Sequence, residues 1–339
     1  MTKVLISGAT GFIGTHLAQA AVSQGYDVTC LVRATSAMKR LNGPSARRVH
    51  GDVTNRDSLT AAIRGQDVVF HLAGCVKAIE AGRFYEINEQ GTQNIAEVCA
   101  ARSTPPVLIV VSSLAAAGPS SPGRPRREGD PPSPVSHYRR SKLAGENVAR
   151  TFADRVPTTI VRPPVVFGEG DPATCELYRL IARWGIHVAP TRREHWLSLI
   201  HADDLVRLLF LAAKRGKRLP GLSQLSSTPG EGCYFAACER NVTFAEWGRM
   251  IGDALGRRRT RVLHAGPVIR WTIAAIATFV SGLGGQPWYF NIDKTREAGA
   301  GSWTCSAETA VHDLGFTVSA SLRDRIDQTV WWYRENGRL

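Results

Sequence analysis

Between the apolar run Val4-Leu5-Ile6 and a helical pattern that opens at Phe12, the chain carries Ser7-Gly8-Ala9-Thr10-Gly11-Phe12-Ile13-Gly14. No other feature of the sequence constrains the fold as much. The first glycine allows a tight strand-to-helix turn. The second lets the backbone approach a ligand, and the third lets the helix lie close on the strand. The helix start then faces whatever negative charge the turn encloses, which suits a pyrophosphate. A glycine triplet alone is weak evidence, because loops use glycine freely. Placed between a buried strand and an amphipathic helix it becomes strong. Gly8, Thr10, Gly11, Phe12, Ile13 and Gly14 are therefore expected to hold a dinucleotide.

The first half of the chain keeps the same alternation. Val28 to Val32, Arg48-Val49-His50, Val68-Val69-Phe70, Val107 to Val111 and Thr158 to Val161 read as strands. Phe12 to Ser23, Asp57 to Ile63, Glu86 to Ala101 and His137 to Phe152 read as helices. Strands without polar alternation are buried on both faces, as in a parallel sheet covered by helices. The expected fold is thus α/β, a doubly wound parallel sheet of the Rossmann type with right-handed crossovers. Beyond Gly168 the pattern weakens. We expect residues 1–168 to form the dinucleotide-binding domain and residues 169–339 a smaller C-terminal substrate-binding cap, with 196–215 returning to the first domain. Pro119 to Ser136 holds six prolines among Ser, Gly and Arg, so it reads as a loop. Loops this long inside a compact domain tend to be functional.

Composition narrows the function. A chain of 339 residues with 43% hydrophobic and 21% charged residues suits a soluble globular protein with a large core. The net charge of +13 raises nucleic acid as a partner. The basic residues are scattered, however, and only Arg257, Arg258, Arg259 and Arg261 form a tight cluster. Without an aromatic or helical reading element, no nucleic-acid partner is expected. Seven cysteines at irregular spacing, with no Cys-x-x-Cys pair, read as reduced buried thiols and offer no metal site. The strand pattern that starts at Lys3 leaves no room for a signal peptide. No uninterrupted apolar run reaches the roughly 18–20 residues of a membrane span, so a cytoplasmic location is expected. The uncharged run Trp271 to Leu283 is too short to span a bilayer. It reads as a lid, as a peripheral lipid contact beside the basic cluster, or as a core helix of the cap.

The cofactor's phosphate is decided where the second strand ends. An acid there would bond a ribose 2′-hydroxyl, whereas arginine suits a 2′-phosphate. The sequence has Leu31-Val32-Arg33 with no acid at the position, which favours NADP(H) over NAD(H). Asp52, in Gly51-Asp52-Val53 at the end of the third strand, can accept a bond from the adenine amino group. His71-Leu72-Ala73-Gly74 ends the fourth strand. The small residues among Leu72, Ala73 and Gly74 let the backbone approach the dinucleotide, and His71 reads as structural.

The fifth strand runs into Ser112-Ser113, and twenty-five residues after Ser113 comes Tyr138, followed by Lys142. Tyrosine and lysine four apart on a helix share a face. The ammonium can lower the tyrosine's pKa from its usual value of about 10 by favouring the phenolate. Such a tyrosine exchanges the proton of a secondary alcohol while hydride moves to or from nicotinamide. A serine hydroxyl across the site would hold the substrate oxygen.

With these pieces the sequence resembles the extended short-chain dehydrogenase/reductase superfamily, which includes the NAD-dependent epimerase/dehydratase family. The matching segments are Gly8 to Gly14, Gly51-Asp52-Val53, His71 to Gly74, Asn88 to Asn94, Ser112-Ser113, Tyr138 to Lys142, Arg162-Pro163-Pro164 and Leu199 to Asp204. By this resemblance Ser113, Tyr138 and Lys142 form the catalytic triad, and Lys142 also bonds the nicotinamide ribose. Pro163 and Val165 would line the nicotinamide side, with Ser112, Val53 and Arg33 along the cofactor. Asn88 falls where the family often has an asparagine near the cofactor, although a helix N-cap explains it nearly as well. Asp203 likewise reads as a cap. The resemblance further implies a homodimer through the helices near Glu86 and His137.

Within the superfamily the chain looks most like dihydroflavonol reductases, hopanoid-associated epimerase-like proteins and 3β-hydroxysteroid dehydrogenases. That favours a secondary alcohol or ketone of an apolar, sterol-like or polycyclic substrate, and a peripheral membrane contact stays one of the readings of the run Trp271 to Leu283. The alternative is a nucleotide-sugar epimerase or dehydratase with tightly bound NAD. In many of those enzymes a Tyr-Gly turn follows the catalytic serine, where this chain has Ala117-Gly118. A third class, a non-catalytic dinucleotide sensor, would not require Ser113, Tyr138 and Lys142 together.

Overall fold

The computed structural model describes residues 1–41, 45–121, 123–189, 191, 194–221, 228–264, 266 and 301–339. The run Trp271 to Leu283 lies outside the described residues. Seven strands make the central sheet: β1 (Lys3–Ser7), β2 (Asp27–Val32), β3 (Arg47–His50), β4 (Val68–His71), β5 (Val107–Val111), β6 (Thr158–Arg162) and β11 (Cys233–Phe235). Their order is β11-β6-β5-β4-β1-β2-β3, and every pairing is parallel. Progress along the chain reverses direction between β1 and β4. The crevice beyond the carboxyl ends of those two strands is where such sheets bind ligands.

Neighbouring residues of one strand serve opposite layers, as the unbroken apolar runs require. Val4 and Ile6 of β1 pack with Phe70, Ile109, Leu17 and Leu209 on one face. Leu5 packs with Val69, Leu108, Leu59 and Ile95 on the other. The first layer contains α1 (Phe12–Ser23) and α8 (Ala202–Arg215). The second contains α2 (Asp57–Ile63), α4 (Gly91–Ala100) and α6 (His137–Thr151). α8 lies against α1, β5 and β6. β11 also comes from the second half, yet it extends the main sheet beside β6. A run of three residues carries no periodicity of its own, so only its partner strand shows what it is.

The remaining elements gather small sheets. β7 (Val165–Phe167) pairs with β10 (Leu199–His201), and β9 (Trp196–Leu197) with β12 (Val242–Thr243). β8 (Ile186–Ala189), which follows α7 (Pro172–Trp184), pairs with β13 (Arg261–His264) beside α9 (Phe244–Ala254). The C-terminal helices are α10 (Glu308–Leu314) and α11 (Leu322–Glu335). The latter is held at its start by a capping box between Ser321 and Asp324.

Three expectations are corrected. The helix expected from Glu86 begins at Ala81: α3 (Ala81–Tyr85) continues through a π turn, Glu86–Gln90, into α4. Asn88 therefore sits inside that π turn and is no N-cap. At the start of α8 the cap is His201, whose ring accepts from the Asp203 N–H at 3.3 Å. Asp203 is the second helical residue and turns its carboxylate to His16 at 2.9 Å.

The proline-rich segment is tied down along its length. Ser120 bridges to Ser302 and Arg126 to Cys305. Glu128 accepts from the Phe235 N–H at 3.0 Å and from Thr309 Oγ1 at 2.8 Å. Arg126 donates to the carbonyls of Ala117 and Pro131. The loop thus joins α5 (Leu114–Ala117), β11 and α10.

Candidate active site

The glycine turn packs its own backbone where no side chain would fit, as a dinucleotide-binding turn requires. Gly8 has φ +73°, and a Cβ there would lie 2.7 Å from the Ala73 nitrogen. A Cβ on Gly14 would lie 2.2 Å from the Gly8 carbonyl oxygen. Gly11 caps α1 in extended conformation without a side-chain bond, and no acid stands in the first turn. The helix N-terminus therefore offers its amides and positive dipole end to an anion. Phe12 packs edge-on against His16 at 5.3 Å, Ile13 leans on the core, and Thr10 is half-buried.

Leu72, Ala73 and Gly74 reach this turn from β4 through a relay of hydroxyls around His71. The Ala73 N–H donates to Ser7 Oγ at 3.2 Å, and Ser7 Oγ lies 2.8 Å from His71 Nδ1. His71 Nε2 lies 3.1 Å from Thr92 Oγ1, which donates to the Asn88 carbonyl at 2.8 Å. A consistent direction of donation puts the proton on Nε2. Burial, helped by the Lys142 charge, pushes His71 down to about 3, so it stays neutral and holds two strand ends together.

Asp52 engages Thr54 through Oδ1, with both bonds at 3.0 Å. Val53 packs beneath Gly91 and gives its carbonyl to Asn94 Nδ2 at 2.7 Å. Arg33 is exposed at the end of β2, in a turn closed by Ser36 Oγ on its N–H at 3.0 Å. Arg33 and Arg83 both bear electrostatically on the Cys75 thiol.

Ser113, Tyr138 and Lys142 come from two neighbouring elements. Ser113 caps α5 and accepts from the Ala115 N–H at 3.1 Å. Tyr138 and Lys142 lie one turn apart on α6, and α5 packs on α6. Phe84 approaches the Tyr138 ring at 6.0 Å. Lys142 Nζ donates to the Val111 carbonyl at 2.9 Å and stands 3.7 Å from where a Gly74 Cβ would be. The lysine is thereby brought to the end of β4, beside the Leu72-Ala73-Gly74 segment. Ser112 is buried, its N–H given to Val161 at 2.8 Å, and the Leu114 N–H given to Pro163 at 2.8 Å brings the Arg162-Pro163-Pro164 segment alongside. Val165 lies on β7, half-buried and paired with Leu199.

Asn88, which the resemblance places near the cofactor, and Glu146, which the sequence reading did not single out, complete this neighbourhood. Asn88 clamps the strand-end loop to α6: it accepts from the Cys75 N–H at 2.8 Å and donates to Ser141 Oγ at 2.8 Å. Glu146, one turn beyond Lys142, meets Arg162 in a bidentate buried pair at 2.9 and 2.5 Å. Its charge raises the Lys142 pKa against burial, which otherwise dominates and leaves the ammonium at about 8. The spacing Tyr138, Lys142, Glu146 marks a single helical stripe, a signal the sequence did contain.

A glycine turn at the sheet's switch point, with serine, tyrosine and lysine on the neighbouring α5 and α6, is the arrangement expected of a nicotinamide-dependent oxidoreductase. The chain belongs to the NAD dependent epimerase/dehydratase family, whose model matches residues 4–221. It is an NAD(P)-dependent oxidoreductase of the extended short-chain type acting on a small molecule. It is 30% identical to "Ceramide reductase" of Caulobacter vibrioides over 336 residues, 99% of this chain and 96% of the relative. It is 24% identical to "3 beta-hydroxysteroid dehydrogenase/Delta 5-->4-isomerase" of Mycobacterium tuberculosis, covering 80% of this chain and 74% of the relative. Its fold is shared with the UDP-glucose 4-epimerase of Thermotoga maritima, with TM-score 0.78 at 19% identity and 99% of each chain covered.

Proposed function

We propose that the chain is an NADP(H)-preferring reductase of a ketone carried by an apolar molecule, of the ceramide-like or sterol-like kind. The observation that carries this reading is the loop from Gly74 to Ile79, which leaves the lysine end of the site. Val76 and Ile79 on it stand 54% and 56% exposed. Large apolar side chains held in water beside polar chemistry suit a greasy substrate, and a nucleotide sugar would leave them unused. The likeness to a ceramide reductase over nearly the whole of both chains supports the same class. Arg33, with no acid at its position, supports the 2′-phosphate.

When bound, the nicotinamide supplies the hydride. Gly8 to Gly14, Asp52 and Leu72 to Gly74 would hold the dinucleotide. Ser113 Oγ accepts from a backbone amide, so its own hydrogen can be given to the substrate oxygen. Tyr138 Oη gives the proton to that oxygen as the ketone becomes an alcohol. Lys142 spends one hydrogen on Val111 and keeps two for the cofactor ribose and the tyrosine side. The test offers ceramide-type ketones, oxosteroids and UDP-glucose side by side with NADPH and NADH, following nicotinamide absorbance. Turnover of the lipid ketones with NADPH is expected. Conversion of UDP-glucose alone, without net cofactor oxidation, would establish the epimerase reading instead.

A further inference from the structure

We propose that the face built from β8, β13 and the end of α7 docks on anionic membrane. In the parallel pair, Arg261 stands opposite Ile186 and Leu263 opposite Val188. Side chains two apart on a strand share a face, and paired residues point to the same side. Ile186, Val188, Arg261 and Leu263 therefore present one surface. It is turned to solvent: Val188 is 44% and Leu263 50% exposed. The reverse side is occupied by packing, where His187 is fully buried and stacks on Phe244 at 4.9 Å.

Trp184 ends α7 next to this surface, 62% exposed, with the Arg183 guanidinium 5.3 Å from its ring centroid. The following residue, Gly185, accepts from the Arg261 N–H at 2.8 Å, which fixes the tryptophan beside β13. Around the edge of β13, Arg249, Arg258, Arg259 and Arg261 line a groove of ≈ 750 Å³. Asp253 is the one acid among the described residues that line it.

Single exposed apolar residues are ordinary on protein surfaces. Here they are paired in register and set among arginines. That combination matches the interfacial region of a bilayer, where guanidinium groups meet lipid phosphates and Trp, Leu and Val enter the headgroup boundary. A nucleic acid would answer the charge but leave Val188, Leu263 and Trp184 in water. The net charge of +13 draws the whole molecule to an anionic surface. The docking stands apart from the catalytic residues, and only its purpose, access to a lipid substrate, rests on the proposed function.

The experiment is co-sedimentation of the full chain with phosphatidylcholine vesicles, with and without phosphatidylglycerol. Binding is expected only when phosphatidylglycerol is present and should weaken as salt screens the charges. Each basic residue near such a surface is worth roughly five-fold in partition, so Arg258→Glu with Arg259→Glu and Arg261→Glu should cost a hundred-fold or more, on the order of the neutralised sum. Val188→Ser with Leu263→Ser should weaken binding at unchanged charge. Both variants should reduce a short, water-soluble ketone at the wild-type rate. Equal binding to neutral and anionic vesicles, or wild-type partition of the triple variant, would overturn the proposal. So would binding of duplex DNA or RNA in preference to vesicles. Lipid-ketone turnover in detergent without vesicle binding would sink this surface while leaving the reductase reading intact.

Discussion

Replacing Glu146 by glutamine separates the structural from the catalytic work of one carboxylate. Glu146 is fully buried and Arg162 nearly so, and two hydrogen bonds at 2.9 and 2.5 Å join them. Glutamine keeps the shape but leaves the guanidinium without a counter-charge, a loss of about 3–5 kcal/mol for a pair of this kind. Against a typical total of about 5–15 kcal/mol, that is a large fraction of the fold's stability. The second effect falls on Lys142. Burial already lowers its ammonium to about 8, and Glu146 is the group that holds it up. A pKa of about 8 leaves the lysine roughly nine-tenths charged at neutral pH. Without Glu146 the value moves further down and the charged fraction with it. Denaturant melts should show a lower midpoint at unchanged slope, and the fall of kcat with rising pH should begin at lower pH. The double replacement Glu146→Leu with Arg162→Met supplies the control. It should regain stability, because an apolar pair avoids the desolvation cost, yet keep the displaced pH profile. A Glu146→Gln variant within 1 kcal/mol of wild type, or one whose pH profile is unmoved, would refute the reasoning.

Tyr138→Phe removes only a hydroxyl, so turnover should drop by a factor of about 10²–10⁴ while cofactor binding, read by fluorescence titration, survives. Arg33→Ala should narrow the affinity gap between NADPH and NADH, because a guanidinium–phosphate contact is charge-assisted; equal affinities in wild type would count against the assignment. His71 is lowered to about 3 in the fold, so between pH 6.5 and pH 3 the unfolded chain binds a proton that the folded chain refuses. Stability should therefore fall with acid by about 1.4 kcal/mol per pH unit from this residue, up to about 5 kcal/mol. His71→Gln should flatten the slope of unfolding free energy against pH by one proton, and His187, held near 4, should keep its own share. The helical stretch from Ala81 to Ala100, together with α6, is expected to form a homodimer interface, which sedimentation across the micromolar range would test; a monomer throughout would end that expectation.

What the sequence by itself determined was local and periodic. Strands buried on both faces declare themselves as unbroken apolar runs, so β1, β2, β4, β5 and β6 could be read directly. The glycines at positions 8 and 14 impose backbone approaches that no larger residue permits, and that requirement is visible in one dimension. Tyr138 and Lys142 are legible because four residues make about one helical turn. What only the tertiary structure decided depends on partners far along the chain. β11 becomes a strand because β6 offers its edge. Asn88 gains its work from Cys75 and Ser141, which lie 13 and 53 residues away. The π turn at Glu86–Gln90 breaks the helical period that would have announced it. Glu146 reads in the sequence as one more charged residue on an amphipathic helix. Arg162 arrives from a strand 16 residues later, and burial there makes their charges matter to the lysine between them and the site. Electrostatics of that kind is a property of enclosure, and enclosure exists only once the layers have closed.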